Sequence, residues 1–255
     1  QTKLFGTYVQ AYAELALPTA DREQLRYLRQ VMAHFWQQCH APVAGPVHLN
    51  CPFRDPLAPV PDDRAIAIAP ELDESFFQHL APIAPPPVPV SPDQWPAGMG
   101  QSERGLIIAG PTQPADPLAY CEAIATLAKT LGWPVLADGL SPLRNYARLN
   151  PYLITGYDTL LRHPHHAETL VPEQVIQLGP LPTSKVLRQW LTEVDPRRWV
   201  ITPQARNLDP LHGAVLPLPW SLEMLLTSRP GTVSAIGPYG QAWLAREMLI
   251  RDRLQ

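Results

Sequence analysis

Four short apolar runs without polar alternation dominate the pattern of hydrophobic and polar positions along the chain. Such runs are typical of strands that are buried on both faces of a parallel sheet. The segments that separate them are long enough to cross back over a sheet, which predicts the order βαβαβαβ. The runs lie within Gly105–Pro111, Pro134–Asp138, Gln174–Leu178 and Trp199–Thr202. The sequence therefore predicts an α/β fold in which a parallel sheet is flanked by helices.

Helical spacing of apolar residues marks two longer segments that have clear start signals. Asp21 can accept hydrogen bonds from the free N–H groups of a first turn, and an apolar stripe then runs to about Cys39. Asp116 followed by Pro117 gives the same signal, and Gly132 is a typical helix end. Shorter helices are predicted at 157–161, from Lys185 through Leu191, at 221–226 and at 241–254.

The amino-terminal part of the chain predicts a partial α/β unit. Its helix is followed by glycine and by a short strand within Gly45–Pro56, and we expect the partner strands to lie before residue 1. A short helix is expected at 70–81. Residues 82–96 contain seven prolines, which excludes a helix interior or a central strand and predicts an extended surface connector. Both ends of the chain suggest a piece of something larger.

Composition and charge exclude several classes of partner. The 255 residues are 45% hydrophobic and 17% charged, which is typical of a globular protein. A formal net charge of −3 provides no basic footprint for nucleic acid or an anionic membrane. Because no apolar run approaches the roughly 20 residues that span a bilayer, we expect a soluble, cytoplasmic protein. The three cysteines lack CxxC spacing, so core packing is their favoured interpretation.

Lys185 is the strongest candidate for binding chemistry. It directly follows Thr183 and Ser184 after a predicted strand, so it lies in the first turn of a helix beside free backbone N–H groups. The helix dipole, the hydroxyls and the ammonium all favour a carboxylate or a phosphate there. Arg188, one turn later, and Arg144, on a neighbouring loop, are candidates to share this task. A solvated surface lysine is the alternative interpretation.

Other chemistry is disfavoured by the residue pattern. The turn Gly110–Pro114 has none of the close glycines with which a nucleotide-binding loop approaches a pyrophosphate. His163, His165 and His166 are metal-ligand types, but Pro164 prevents a helical pairing that would aim two rings at one ion, so a solvated loop is predicted. We therefore expect no metal site at these histidines, and Ser141 and Ser184 lack a nucleophile elbow, which disfavours acyl-transfer catalysis.

Several motifs carry a resemblance that covers nearly the whole chain. The segment Gly45–Pro56, read Gly-Pro-Val-His-Leu-Asn-Cys-Pro-Phe-Arg-Asp-Pro, resembles the end of the pyrimidine-binding domain in thiamine-diphosphate enzymes, and in particular the SEPHCHC synthase family. The Ser141–Asn145 segment is similar to cyanobacterial members. The other matching segments are Gly132–Asp138, Gln177–Gly179, Thr183–Lys185 with Gln189–Trp190, and Leu208–His212.

The resemblance implies a domain organisation. Residues 1–60 would be the tail of a pyrimidine-binding domain and residues 61–104 a proline-rich linker. Residues 105–228 would be a Rossmann-like central domain, and residues 229–255 a connector towards a carboxyl-terminal cofactor domain. The resemblance further implies a homo-oligomer.

The same resemblance implies a function. Such enzymes use thiamine diphosphate and a divalent metal such as Mg²⁺ to decarboxylate 2-oxoglutarate and join it to isochorismate in menaquinone and phylloquinone biosynthesis. The cofactor residues belong to segments before Gln1 and after Gln255, so this chain alone is expected to be inactive. Lys185 matches a lysine that reaches the substrate pocket in relatives, whereas Val186 stands where some relatives have arginine.

Two other classes of function stay open at the level of sequence. One is a stand-alone α/β module that binds an anionic metabolite, for example an aromatic one. The other is a nucleotide-dependent enzyme, which would have to bind NAD or FAD.

Overall fold

The computed structural model describes residues 1–40, 44–55, 58, 60–72, 74–78, 95–203, 209–227 and 234–254. The chain divides into two compact units, residues 1–86 and residues 87–255. The division falls inside the segment that was predicted to be a linker. Within the described ranges, no helix is both long enough and apolar enough to cross a membrane.

The first unit contains a small parallel sheet and one long helix. Strand β1 (Ala11–Glu14) pairs in parallel with β2 (Val47–Asn50), and helix α1 (Arg22–Gln38) connects them. As predicted, Asp21 caps α1 by accepting from the N–H of Gln24. The expectation that the partners of β2 lie before residue 1 is wrong, because β1 is a partner within the chain.

Among the described residues that follow β2 in the first unit, the regular elements are short and helical. Helix α2 (Asp63–Ile68) was not predicted, and Asp62 caps it. Two 3₁₀ turns, Ala69–Glu71 and Glu74–Phe77, stand where a short helix was expected. The predicted proline-rich connector lies outside the described residues except for its last two, Trp95 and Pro96.

The second unit is built on a six-stranded, wholly parallel sheet in the order β5-β4-β3-β6-β7-β8. The four predicted runs form its adjacent central strands, so the predicted fold class is confirmed. The outer strands β5 and β8 were not predicted. Its strands are β3 (Gly105–Ala109), β4 (Val135–Ala137), β5 (Leu153–Ile154), β6 (Gln174–Leu178), β7 (Arg197–Ile201) and β8 (Val215–Leu218).

Helices cover both faces of this sheet. Asp116 caps α3 and Gly132 ends it in the left-handed conformation, as predicted. The loop predicted at His163–His166 is wrong, because Pro164 occupies the first position of α5, where proline is favoured. The helices are α3 (Pro117–Leu131), α4 (Tyr157–Leu161), α5 (Pro164–Thr169), α6 (Lys185–Val194), α7 (Leu222–Thr227) and α8 (Pro238–Leu254).

Alternate residues of the central strands face two separate hydrophobic cores. Ile107 and Ala109 pack with α3 and α7 on one face, whereas Leu106 and Ile108 pack with α4, α6 and α8 on the other. Trp243 of α8 is fully buried in the second core, so α8 is packed on the sheet although its segment was predicted to be a connector. The sheet is therefore a rigid support for the loops at its carboxyl edge.

Candidate functional site

The three central loops of the sheet meet at its carboxyl edge, where parallel α/β sheets hold their ligands. These loops follow β3, β4 and β6, and β3 lies between the other two strands. The position between β3 and β6 is the point at which the strand order reverses direction. All three predicted binding residues lie on this edge or next to it.

Lys185 is placed in the first turn of α6, as predicted. The Ser184 hydroxyl caps this helix by accepting from the N–H of Leu187 at 3.1 Å. Lys185 is exposed, and no hydrogen bond or ion pair within the described part of the chain involves its ammonium group. A cation that is unpaired beside a helix amino terminus is suited to an anionic ligand, because the free N–H groups and the ammonium attract the same charge.

Asp158 of α4 holds the Ser184 cap in place. It accepts a hydrogen bond from the Ser184 hydroxyl, and its second oxygen accepts two bonds from Arg162 at 2.9 and 3.0 Å. The bond from Ser184 lowers the pKa of Asp158, and Arg162 acts in the same direction against the opposing effect of burial. Asp158 is therefore a paired carboxylate, whose charge Arg162 offsets next to the Lys185 turn.

The two predicted arginines bind the main chain of the site. The Arg188 Nε donates to the Pro182 carbonyl at 2.8 Å and so folds back on the loop that leads to Lys185. The Arg144 guanidinium donates to the carbonyls of Ala137, Asp138 and Thr155 at 2.8 to 3.2 Å. In each arginine, Nη1 has no hydrogen bond to any described residue. Their role towards a substrate stays a prediction, whereas their role in holding the loops follows from these bonds.

Asp138 is the residue of this edge that sequence reasoning missed. It directly follows β4 and is only 4% exposed. One carboxylate oxygen accepts from the N–H of Leu140 at 2.8 Å, and the other accepts from the N–H of Thr183 at 3.3 Å. A single buried carboxylate therefore joins the loop after β4 to the loop after β6. A polar residue at the end of an otherwise buried strand was the signal that could have identified it.

The crevice between β3 and β6 is filled by the protein itself. A Cβ atom added to Gly110 would lie 1.7 Å from the carbonyl oxygen of Pro180. The loop after β6 therefore lies directly against the end of β3, and only glycine allows this approach. This contact occupies the place at which a nucleotide-binding fold of this topology receives a pyrophosphate.

An open pocket of about 450 Å³ lies beside this crevice, between the loops that follow β3 and β4. None of the residues that line it is charged. It therefore has hydrogen-bonding groups for a ligand but no charge to bind an anion. Its polar lining consists of Thr112, Gln113, Ser141, Asn145 and Tyr146.

The described residues do not fit a magnesium-diphosphate site. They contain no group of three or more His, Cys, Asp or Glu side chains that could together hold a metal ion. Both oxygens of Asp138, the one carboxylate flanked by glycine at this edge, are already bound to backbone N–H groups. The Nδ1 of His166 accepts a hydrogen bond from Arg246 Nε at 3.1 Å, so this nitrogen is not free to coordinate a metal ion.

A buried ion pair stabilises the opposite part of the sheet. Arg198 of β7 donates two hydrogen bonds to Asp209 at 2.7 and 2.8 Å, and both side chains are 4% exposed. The N–H of Gly213 also donates to Asp209 at 2.9 Å. Burial opposes ionisation of Asp209, but these bonds outweigh it and lower the pKa of that carboxyl. The segment around Asp209, which contributed to the resemblance, is therefore structural.

Comparison with known proteins agrees with this architecture. Residues 88–236 match the family model described as "Middle domain of thiamine pyrophosphate". This match covers more than half of the chain, and the chain therefore belongs to the family of middle domains of thiamine pyrophosphate enzymes.

Individual relatives narrow the comparison to one kind of enzyme. The chain is similar to 2-succinyl-5-enolpyruvyl-6-hydroxy-3-cyclohexene-1-carboxylate (SEPHCHC) synthases. It is 49% identical to the protein of Nostoc sp. over 98% of this chain and 43% of the relative. It is 48% identical to a Synechococcus protein over 100% of this chain and 44% of the relative. It is 47% identical to an Acaryochloris marina protein over 98% of this chain and 44% of the relative. The predicted resemblance is confirmed, and the chain spans less than half the length of these curated relatives.

Proposed function

We propose that this chain is the central part of a SEPHCHC synthase, and that its Lys185 turn binds a substrate carboxylate. The observation that carries the proposal is the identity of 49% that extends over 98% of the chain. The whole enzyme would decarboxylate 2-oxoglutarate and add the remaining four-carbon unit to isochorismate. Both substrates carry carboxylates, which is the chemistry that the Lys185 ammonium and the helix amino terminus suit.

Thiamine diphosphate supplies the carbanion chemistry of this reaction when it is bound. Because the described residues do not fit its diphosphate and metal, we place the cofactor and Mg²⁺ on other parts of the enzyme. Residues 1–60 would complete a pyrimidine-binding domain, 61–104 would link it to the central domain at 105–228, and 229–255 would lead to the next domain. We further propose a cytoplasmic homo-oligomer that acts in menaquinone or phylloquinone biosynthesis.

Within this function, the contribution of the chain is to hold a positive charge at one position. Lys185 supplies the charge, Arg188 adds its remaining N–H groups and its charge from the same helix, and Arg144 does so from the loop after β4. The neutral pocket between the loops that follow β3 and β4 would provide hydrogen-bonding groups for the uncharged parts of a substrate. The chain would thus bind and orient a substrate within the whole enzyme.

Substitution of Lys185 in the whole enzyme tests the proposal. Lys185→Ala is expected to raise KM for one carboxylate substrate about tenfold or more, because a hydrogen bond to a charged group contributes about 1.5–3 kcal/mol. The affinity for thiamine diphosphate should not change, since the contact is with the substrate. Steady-state kinetics with each substrate varied in turn, and a cofactor titration, measure these effects.

Lys129→Ala is the matched control, because Lys129 is an exposed lysine in the last turn of α3. Its KM values should equal those of the unmodified enzyme. If the KM values of Lys185→Ala also equal those of the unmodified enzyme, the assignment of the Lys185 site is rejected.

The stand-alone module remains a second candidate, because Lys185 and every residue that holds its turn belong to this chain. It predicts that the isolated chain binds 2-oxoglutarate with a dissociation constant below about 1 mM. Isothermal titration calorimetry of the isolated chain distinguishes the two, since the synthase proposal expects no saturation in that range.

A further inference from the structure

We propose that Asp138 is a positioning residue for Lys185, an inference that rests on the proposed function of the Lys185 turn. Within the described part of the chain, no hydrogen bond or ion pair joins the Asp138 carboxylate to the Lys185 ammonium group; its oxygens bind the N–H groups of Leu140 and Thr183. Its effect is instead transmitted through the backbone of Thr183, two residues before Lys185.

The topology explains why this contact fixes the loop. Asp138 follows β4 and Thr183 follows β6, and these strands are not neighbours, because β3 separates them. The carboxylate therefore reaches across the end of β3. The backbone of Asp138 is also bound to β3, since the N–H of Asp138 donates to the carbonyl of Ala109 at 3.0 Å. The loop that leads to Lys185 is thereby attached to the rigid centre of the sheet.

Gly110 makes this attachment possible. Because it has no side chain, the Pro180 carbonyl can lie against the end of β3, which brings the next residues of the loop within reach of Asp138. Two other contacts act on the same loop: Asp158 holds the Ser184 hydroxyl, and Arg188 holds the Pro182 carbonyl. Asp138 differs from both because it is almost fully buried and binds a backbone N–H from a non-adjacent strand.

The direction in which KM changes distinguishes a positioning role of Asp138 from a direct electrostatic effect of its charge on the anion. Asp138 places a negative charge near a site that binds an anion, so removal of the charge alone would strengthen binding and lower KM. Removal of an acceptor that holds the loop has the opposite effect, because Lys185 then samples more positions and fewer of them suit the substrate.

The test is Asp138→Asn in the whole enzyme, with each substrate varied in turn. Asparagine has the same shape, but its amide nitrogen cannot accept a hydrogen bond, so one of the two backbone contacts is lost. We expect KM to rise about threefold to tenfold for the substrate that responds to Lys185→Ala. The other KM and kcat per folded active site should stay within twofold. Asp116→Asn is the control, because asparagine caps α3 as well as aspartate does.

A double-mutant cycle completes the experiment. If Asp138 acts through Lys185, then Asp138→Asn in the Lys185→Ala background should change KM by less than twofold. A lowered KM, an equal rise in both KM values, or a full effect in the double mutant would overturn the inference and leave the Lys185 site intact. Absence of an effect of Lys185→Ala would overturn both proposals.

A second variant covers the case in which Asp138→Asn does not fold. Gly110→Ala leaves Asp138 unchanged but forces the Pro180 carbonyl and its loop away from the end of β3. The same selective rise in one KM is expected. Unchanged KM values for folded Gly110→Ala enzyme would contradict the inference.

Discussion

The two compact units of the chain bury their apolar side chains to very different extents. Among the described residues of the first unit, Phe35 and Phe76 are the buried hydrophobic side chains, and Met32 and Trp36 on α1 are 50% and 58% exposed. The second unit encloses two continuous cores, one on each face of its sheet. Because burial of apolar surface is the main stabilising contribution, the second unit provides most of the stability of the chain. It is also the unit that carries the Lys185 turn.

The largest expected difference between the units concerns their ion pairs. Asp209→Ala leaves the buried Arg198 without a carboxylate partner and with only its hydrogen bond to Gln177 at 3.2 Å, which is expected to lower the free energy of unfolding by about 3–5 kcal/mol. Urea unfolding followed by tryptophan fluorescence measures this loss, because six of the seven tryptophans lie in the second unit.

The first unit offers the control for this measurement. Glu71 pairs with Arg22 at 3.2 Å, but the two side chains are 52% and 50% exposed. Because exposed pairs contribute about 0–1 kcal/mol, Glu71→Ala should have little effect on the unfolding of the first unit, which is followed by far-UV circular dichroism since the tryptophan signal reports mainly on the second unit. Comparable losses for the two substitutions would contradict the contrast between the units.

A smaller, pH-dependent effect is expected at Glu247 on α8. Its buried carboxylate accepts from the backbone and hydroxyl of Thr155, from Gly156 and from Arg251 at 2.6 to 3.0 Å. Burial opposes ionisation, but these bonds outweigh it and lower the pKa of Glu247. A lowered folded-state pKa contributes stability above the ordinary value of 4.5, and that contribution is lost as the pH falls through the folded-state pKa.

Glu247→Gln should therefore lower the free energy of unfolding by about 2 kcal/mol at pH 7. Below about pH 4.5, the free energy of unfolding of this variant should decrease less steeply with falling pH than that of the unmodified protein. Urea unfolding at several pH values measures both quantities. Glu23→Gln, which alters an exposed carboxylate of the first unit, should leave the pH dependence unchanged. An unaltered slope in Glu247→Gln would show that Glu247 does not titrate at a lowered pKa.

The smallest expected effect concerns two glycines of the second unit, Gly132 and Gly139, which have different surroundings. Gly132 has φ +67°, and an added Cβ would lie 2.8 Å from the Ala235 carbonyl. Gly132→Ala should cost about 1–2 kcal/mol of unfolding free energy, since it combines backbone strain with close packing. At Gly139 no atom of the described residues, apart from Gly139 and its two chain neighbours, lies within 4 Å of an added Cβ, so Gly139→Ala should change stability by less than about 0.5 kcal/mol. Equal losses of unfolding free energy for the two substitutions would mean that the surroundings of the glycine do not decide whether alanine is tolerated there.

The central fold was predictable because its signals are local. β3, β4, β6 and β7 are buried on both faces and read as apolar runs, and α3 has a capping residue at each end. The outer strands were missed for physical reasons: β5 has two residues, and β8 contains Pro217, which only an edge strand tolerates. Histidines beside a proline suggested a loop, although proline also begins helices.

The candidate site was predictable only in part. The placement of Lys185 in the first turn of α6 was predictable because Thr183, Ser184 and the helix that follows lie together in sequence. Asp138 was missed because its partner Thr183 lies 45 residues further on, and no local pattern indicates that the two loops meet. Arg144 and Arg188 were recognised as charges, but their bonds to main-chain carbonyls depend on tertiary structure.

The most direct test of the central claim is a crystal structure of the whole enzyme with 2-oxoglutarate and, separately, isochorismate bound. In one of the two complexes, we predict that Lys185 Nζ lies about 2.7–3.2 Å from a substrate carboxylate oxygen, with the N–H of Thr183 still bonded to Asp138. Both substrates bound with Lys185 pointing into solvent, beyond hydrogen-bond distance of any carboxylate, would contradict the claim.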